Sequence, residues 1–421
     1  MPMLRRVLLF GIAAILFWWV TALGLSSHYV ERIKAGDSRT AAKALTWSGR
    51  QPEALIEQAA VMREKDPGSA RALLARAYAE NPANARALTS LAAMAQGEGD
   101  PEAAAALLQA AVALTPSDPR THVRAARLWA AQGDLDRALH HWSQSIEANP
   151  SGRAQIFPVL LQLAKDPRTA AAFRPLAEAP PAWWEAFFAE LAKRSREVEP
   201  IRVFYAWRRE STQAPVTGAE RKTYVARLIR DGAVGEAYIE WVNGLGRPER
   251  AQLGLLYNGG FELEATNWGF DWHLRSSPTA LIDQARIYGM DGQKALHLLF
   301  SRHQRRFADG YQPLFLDPGV YRFTGRVRTE SLETQGGLKW VLRCLVPESA
   351  ILGESERFLG SNEWRDFGFQ FEVSEVCRMQ EIRLESAGKR PFEHKMDGGA
   401  WFDRLAIRRI SIPTASVDGS E

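Results

Sequence analysis

The sequence predicts three parts in order: one transmembrane helix, an all-α repeat solenoid and an all-β sandwich. Three observations carry this. An uncharged apolar run extends from Val7 to Leu25. Small residues, glycines and prolines then recur at a spacing of 34 residues. From about Leu253 the hydrophobic period changes from helical to two.

The apolar run follows Arg5 and Arg6 and is long enough, at about 1.5 Å per residue, to cross a hydrocarbon core of about 30 Å. Trp18 and Trp19 stand near its far end, where interfacial aromatics are favoured. Residues 1–26 are therefore expected as a retained signal anchor. The arginines keep the N-terminus cytoplasmic, which in a bacterium puts the bulk of the chain in the periplasm as a single-pass inner-membrane protein. A cleaved signal peptide, with Ala22 and Gly24 at the cut, is the alternative.

The 421 residues carry 46% hydrophobic and 24% charged side chains, which suits packed domains rather than disorder. A formal charge of +4, with no dense basic run, gives no footprint for nucleic acid. Cys344 and Cys377 lack a CxxC spacing or a histidine cluster, so a zinc site is not expected. A disulfide in an oxidising compartment and two buried thiols both fit.

Between residues 40 and 250 alanine, leucine, glutamate and arginine dominate, broken by DP, NP and GD pairs. Gly133-Asp134 follows Gly99-Asp100, Ala138 follows Ala104 and Ala70, and Pro150 follows Pro116 and Pro82. The clearest units fill 51–152. One unit runs through Leu88, Leu91, Ala92, Ala95, Gly99, Ala104, Leu108, Ala111 and Pro116. The next has His122, Ala125, Ala126, Trp129, Gly133, Ala138, Trp142, Ser145 and Pro150. These residues resemble the tetratricopeptide repeat, in which small residues let two helices cross closely and larger ones fill the gaps. The resemblance implies an α-solenoid that binds a protein partner. Glu57 and Gln58 depart from the pattern in the earliest unit. Beyond Pro150 the period fades, and the helices to about 250 are read as degenerate units of the same solenoid.

Residues 253–413 alternate. In "VYRFTGRVR" the residues Tyr321, Phe323, Gly325 and Val327 take one face and Arg322, Thr324, Arg326 and Arg328 the other. "FGFQFEV", "GLKWVLRCLV", "MQEIRLES" and "WFDRLAIRRI" are further strands, and DPG, QGG and DGG mark turns. Residues 414–421 are expected as a flexible tail.

The ordered segments NGGFE, "DGQKALHLLF", "QPLFLDPGVYRFTGRVR", "NEWRDFGFQFEV" and "GGAWFDRLAIRR" resemble the galactose-binding-like jelly roll of many carbohydrate-binding modules. The resemblance makes NGGFE an opening strand. It assigns Glu262 and Asp403 to a structural calcium, the alternative being ordinary turn and edge acids. It also implies sugar stacking on an aromatic ring, for which Trp268, Trp272, Tyr311 and Trp340 are the candidates. Trp364 and Trp401 read as structural. Alternation adds Arg322, Arg326, Arg328, Lys339 and Arg343, a basic stripe for an acidic glycan if their strands share a sheet.

No GxSxG, HExxH, P-loop or dinucleotide fingerprint occurs, and His140 and His141 are neighbours that do not share a helix face. The expected function is a non-enzymatic anchored scaffold: a solenoid for a protein, a jelly roll for a glycan. Anchored repeat proteins carrying such a module suggest cell-surface polysaccharide assembly or export, by analogy. A sandwich that docks to protein without sugar, and a carbohydrate-active enzyme subunit, are the alternatives.

Overall fold

The computed structural model describes residues 2–410. The expected tail, 414–421, lies outside them. Two compact units are present, one running to Phe187 with 211–214, the other holding 188–210 and the chain from 215 onward.

In the first unit, α1 (Pro2–Lys34) is long and apolar enough to cross a membrane over Gly11–Ile33. Residues 11–20 are all exposed. Its last turns have a different role. Ser26 is buried and donates to the carbonyl of Ala44 at 3.0 Å, and Val30 and Ile33 pack on Ala41, Ala44 and Ala54. Those residues belong to α2 (Ala41–Trp47) and α3 (Pro52–Met62).

Paired helices follow: α3 with α4 (Pro67–Glu80), α5 (Ala85–Gly97) with α6 (Pro101–Leu114), and α7 (Pro119–Ala131) with α8 (Leu135–Ala148). Asp66, Asp100 and Asp134 cap α4, α6 and α8 by accepting from Ser69, Ala103 and Arg137 backbone N–H groups. The cap thus recurs with the repeat. Gly99 and Gly133 turn the α5–α6 and α7–α8 connections at φ 80° and 81°, where a side chain would be strained. Ala70, Ala77, Ala104, Ala111 and Ala138 are buried at the crossings, so backbones approach as the pattern requires. Glu57, the departure from the pattern, pairs with Arg86 of α5 instead of filling a gap. After α9 (Arg153–Lys165) come the short α10 (Pro167–Ala170) and α11 (Arg174–Glu178), then α12 (Trp184–Arg194), within which the units divide.

His122 and His141 bring Nδ1 atoms within 3.1 Å, and His122 Nε2 lies 2.9 Å from the Pro116 carbonyl. One neutral imidazole therefore bonds the other. Burial, then the charges of His122 and His140, hold His141 down to about 4.

The second unit contains α13 (Glu199–Glu210), α14 (Gly218–Arg230), α15 (Val234–Asn243), the short α16 (Arg247–Arg250) and every strand. The sequence places the boundary near residue 250, where helices end. Packing places it at 187/188, because α15 turns its aromatics onto the β-domain. Tyr238 meets Phe270 at 5.1 Å and Trp241 meets Tyr257 at 5.1 Å, both edge-on. A Cβ on Gly269 would lie 2.4 Å from Trp241, so that position needs glycine. Behind them Arg208 and Glu220 form a buried pair at 2.6 Å.

The strands are β1 (His273–Leu274), β2 (Ala280–Ala285), β3 (Ala295–His303), β4 (Gly310–Leu314), β5 (Gly319–Thr334), β6 (Leu338–Val346), β7 (Ala350–Glu354), β8 (Gly360–Val373), β9 (Met379–Ser386) and β10 (Met396–Arg409). They form two five-stranded antiparallel sheets, ordered β1-β4-β9-β6-β7 and β2-β3-β10-β5-β8. Aromatics fill the space between. Trp272 packs on Phe261 and Trp340 at 5.0 and 5.8 Å, and Trp340 on Phe402 at 5.3 Å. NGGFE forms no strand. It is an irregular segment whose Gly259 carbonyl accepts from Leu405 at 2.9 Å, where β10 bulges. Cys344 and Cys377 form a disulfide with Cα atoms 5.8 Å apart, linking β6 to the β8–β9 connection.

Two outcomes follow. The disulfide closes a loop between cysteines 33 residues apart, so Cys344→Ala with Cys377→Ala should destabilise the second unit by about 3–4 kcal/mol in the loop-entropy picture. Denaturant unfolding of oxidised and double-variant chains measures this. The unfolded chain protonates His141 near 6.5, the folded chain near 4. This histidine therefore costs no stability above pH 6.5 and progressively destabilises the first unit as pH falls from 6.5 to 4. Melting curves of wild type and His141→Gln across that window should converge toward the acid end, wild type losing more.

Candidate functional site

One site with a marked charge imbalance, four arginines to one acid, lies on the outer face of the β10–β5–β8 part of its sheet. Along β5 the pleat sends Tyr321, Phe323 and Val327 inward, and Arg322, Thr324, Arg326 and Arg328 outward. Register then sets the neighbours. Arg408 of β10 stands directly opposite Arg322. Like charges facing each other across strands are destabilising. Neither guanidinium has an acidic partner or a side-chain hydrogen bond among the described residues.

Arg326 and Arg404 complete a cleft of about 800 Å³, with Asp366 in its wall. Arg404 sits 2.8 Å from Asp291, and Arg326 donates to the Gly289 carbonyl at 3.2 Å. The Arg326 guanidinium lies 5.2 Å over the ring of Trp364, whose Nε1 donates to the Tyr288 carbonyl at 3.0 Å. Tyr288 is 92% exposed beside them. Four guanidinium groups, two of them uncommitted, can pair bidentately with carboxylate, sulfate or phosphate.

The structure keeps Arg322 and Arg326 together and separates Arg343 from them. β6 lies in the other sheet, so the expected stripe splits between opposite faces. Arg343 is committed to Glu385 at 2.8 Å, and Lys339 pairs with Glu354.

The stacking candidates fare differently. Trp272 and Trp340 are both 0% exposed in the core, so neither offers a ring face to a sugar. This corrects the expectation: the pleat of β6 turns Trp340 inward, and Trp272, just before β1, is held inside by its packing on Phe261 and Trp340 and by its Nε1 donating to the Asn258 carbonyl at 3.1 Å. Tyr311 lies between its cross-strand neighbours: His273 stacks on it at 4.7 Å and Arg383 covers it at 4.2 Å. Both ring faces are taken, leaving its edge and hydroxyl. Trp268 is half-buried and borders a cleft of about 410 Å³ that also includes His273 and Lys222, the latter 5.5 Å over its ring. Burial lowers His273 below its ordinary range.

Glu262 and Asp403 hold one loop. Glu262 accepts from the Gln293 backbone N–H at 2.9 Å. Asp403, fully buried, accepts from Asp291 and Arg404 N–H groups at 2.7 Å each, and burial raises its carboxyl above the usual value. As placed, the acids clamp residues 291–293, and calcium would have to displace those donors. Among the described residues no group of three or more His, Cys, Asp or Glu is placed to hold a metal ion.

Sequence reasoning missed Arg404, Arg408, Trp364 and Tyr288. Carrying the period of two through "WFDRLAIRR" fails at the bulge between Asp403 and Ala406, which resets the faces. Trp364 was expected inside; it is half-exposed on the outer face, beside another register shift.

Residues 95–156 match the tetratricopeptide repeat family model, over part of the region where the period of 34 is clearest. No curated protein matches the chain. Solved structures similar to parts of it include the CBM22-1 xylan-binding domain of Xyn10C from Paenibacillus barcinonensis, at 13% identity and a TM-score of 0.27, covering 37% of this chain and 93% of that one. TmCBM61 in complex with β-1,4-galactotriose aligns at 18% identity and a TM-score of 0.26, over 38% and 99%. MamA aligns at 18% identity and a TM-score of 0.25, over 32% and 81%.

The two tryptophans of one loop should separate cleanly in stability. Trp272→Ala should cost about 3–5 kcal/mol by leaving a core cavity, and Trp268→Ala less than about 1 kcal/mol. Chemical denaturation of the two variants reads the difference.

Proposed function

We propose that the chain is a non-enzymatic scaffold anchored by α1 in a bacterial inner membrane and facing the periplasm. Its repeat helices bind a protein and its jelly-roll sandwich binds an acidic glycan in the arginine cleft. The observation that carries the glycan reading is the Arg322–Arg408 pair, two facing cations neither of which forms an ion pair among the described residues. An anionic ligand supplies that acid. Trp364 and Tyr288 beside the cleft add aromatic surface against which a sugar ring can lie. Arg5 and Arg6 ahead of the apolar run support the orientation. Cell-surface polysaccharide assembly or export is the setting we propose, since it needs an anchored protein that holds a charged polymer and a protein partner together.

The full chain in detergent micelles, tested against immobilised uronate-containing, sulfated and neutral polysaccharides, should retain only the acidic ones. Arg322→Ala with Arg408→Ala should weaken retention at least about tenfold, the scale of lost charge-assisted hydrogen bonds. Salt should weaken wild-type binding too. Equal binding of neutral polysaccharides, or unchanged affinity in the double variant, would overturn the reading.

A further inference from the structure

The repeat unit carries a second set of uncommitted arginines. Arg120, Arg124 and Arg127 are spaced i, i+4, i+7 along α7, so they share one face. They line a groove of about 670 Å³ between α7 and α9, floored by Trp142 of α8. No acid lines it. Among the described residues Arg120 and Arg127 have no side-chain partner, and Arg124 has one neutral bond, to Thr89 Oγ at 3.2 Å. Asp118, the nearest acid in sequence, is occupied as the cap of α7, accepting from the N–H groups of Arg120 and Thr121. Arg86 is already paired with Glu57. Burial, with the like charges of Arg86 and Arg120, pulls Arg124 below its ordinary value, against the opposing charges of Asp118 and Glu57 on its other side. The opposite wall is apolar: Ile156 is buried there and Val159 is 42% exposed.

We propose that this groove holds an acidic amphipathic helix of a protein partner. Carboxylates at i, i+4 and i+7 of that helix meet Arg120, Arg124 and Arg127, and its apolar side covers Val123, Ile156 and Val159. The α7 face from Arg120 to Ala130 spans about 15 Å, so about three turns of partner helix fit. The inference rests on the reading that the repeat helices bind a protein, and names the chemistry of the segment they bind.

The probe is a synthetic 14-residue helix, with glutamates at i, i+4 and i+7 beside a leucine face, titrated into the full chain in detergent micelles. We expect saturable binding that weakens with salt. Arg127→Glu, at an exposed position where folding is undisturbed, should weaken it about tenfold, the scale expected for one close charge pair. Val159→Asp should do likewise. Circular dichroism confirms that both variants stay folded. No binding, equal binding by a scrambled peptide, or indifference to both variants would overturn the proposal. A photo-crosslinker at Gln155 in cells separates this failure from failure of the underlying reading. A protein adduct that persists in Arg127→Glu overturns the acidic-helix proposal alone, whereas no adduct and no peptide binding overturn both.

Discussion

The two-residue pleat of β5 is the constraint on which the sandwich and its candidate site both depend. It sends Tyr321, Phe323 and Val327 into the aromatic core and leaves Arg322, Arg326 and Arg328 with nowhere to go but outward. Burying the apolar set drives sheet packing. The same geometry forces cations into a row, and β10 places Arg408 against that row. A slip of one residue would reverse both faces. Core packing and cationic cleft are therefore two sides of one register.

Several buried or half-buried arginines are compensated by an acid. Arg208 has Glu220, Arg343 has Glu385, Arg383 has Glu381, and Arg227 has Asp231. Two groups stand apart, one on the outer face of a sheet, one along a helix. Both are held by regular secondary structure, so their spacing is rigid. A partner therefore meets a fixed pattern of charge, and that rigidity favours selectivity for spacing over mere attraction.

Much of this was legible from residue order. The recurrence of Gly99 at Gly133 and of Ala104 at Ala138 announced hairpins, because a left-handed turn and a close crossing each admit few residue types. Alternation found β5 and put Arg322 and Arg326 outside. What stayed hidden is long-range. Nothing local says that β6 joins the other sheet and carries Arg343 away, or that Trp272 points inward while Trp268 four residues earlier does not. Bulges break the count on which alternation relies, which concealed Arg408 and Trp364. The unit boundary was hidden for a related reason. α14 and α15 read as solenoid helices, and only their aromatic contacts with the β-domain reveal which core they serve.

The strand order has a consequence for how the molecule is made. β10 is last in sequence yet central in its sheet, between β3 and β5, and its Leu405 also secures the segment around Gly259. The first and last stretches of the β-domain therefore complete each other. A chain emerging N-terminus first can finish its helical hairpins early, since their contacts are local. The sheet must wait, with β3 and β5 lacking their shared neighbour, until nearly the whole chain has emerged. Non-local pairing of this kind is slow and leaves strand edges open meanwhile. This domain should be the part most dependent on chaperones, and truncation even a dozen residues before its end should forfeit it entirely.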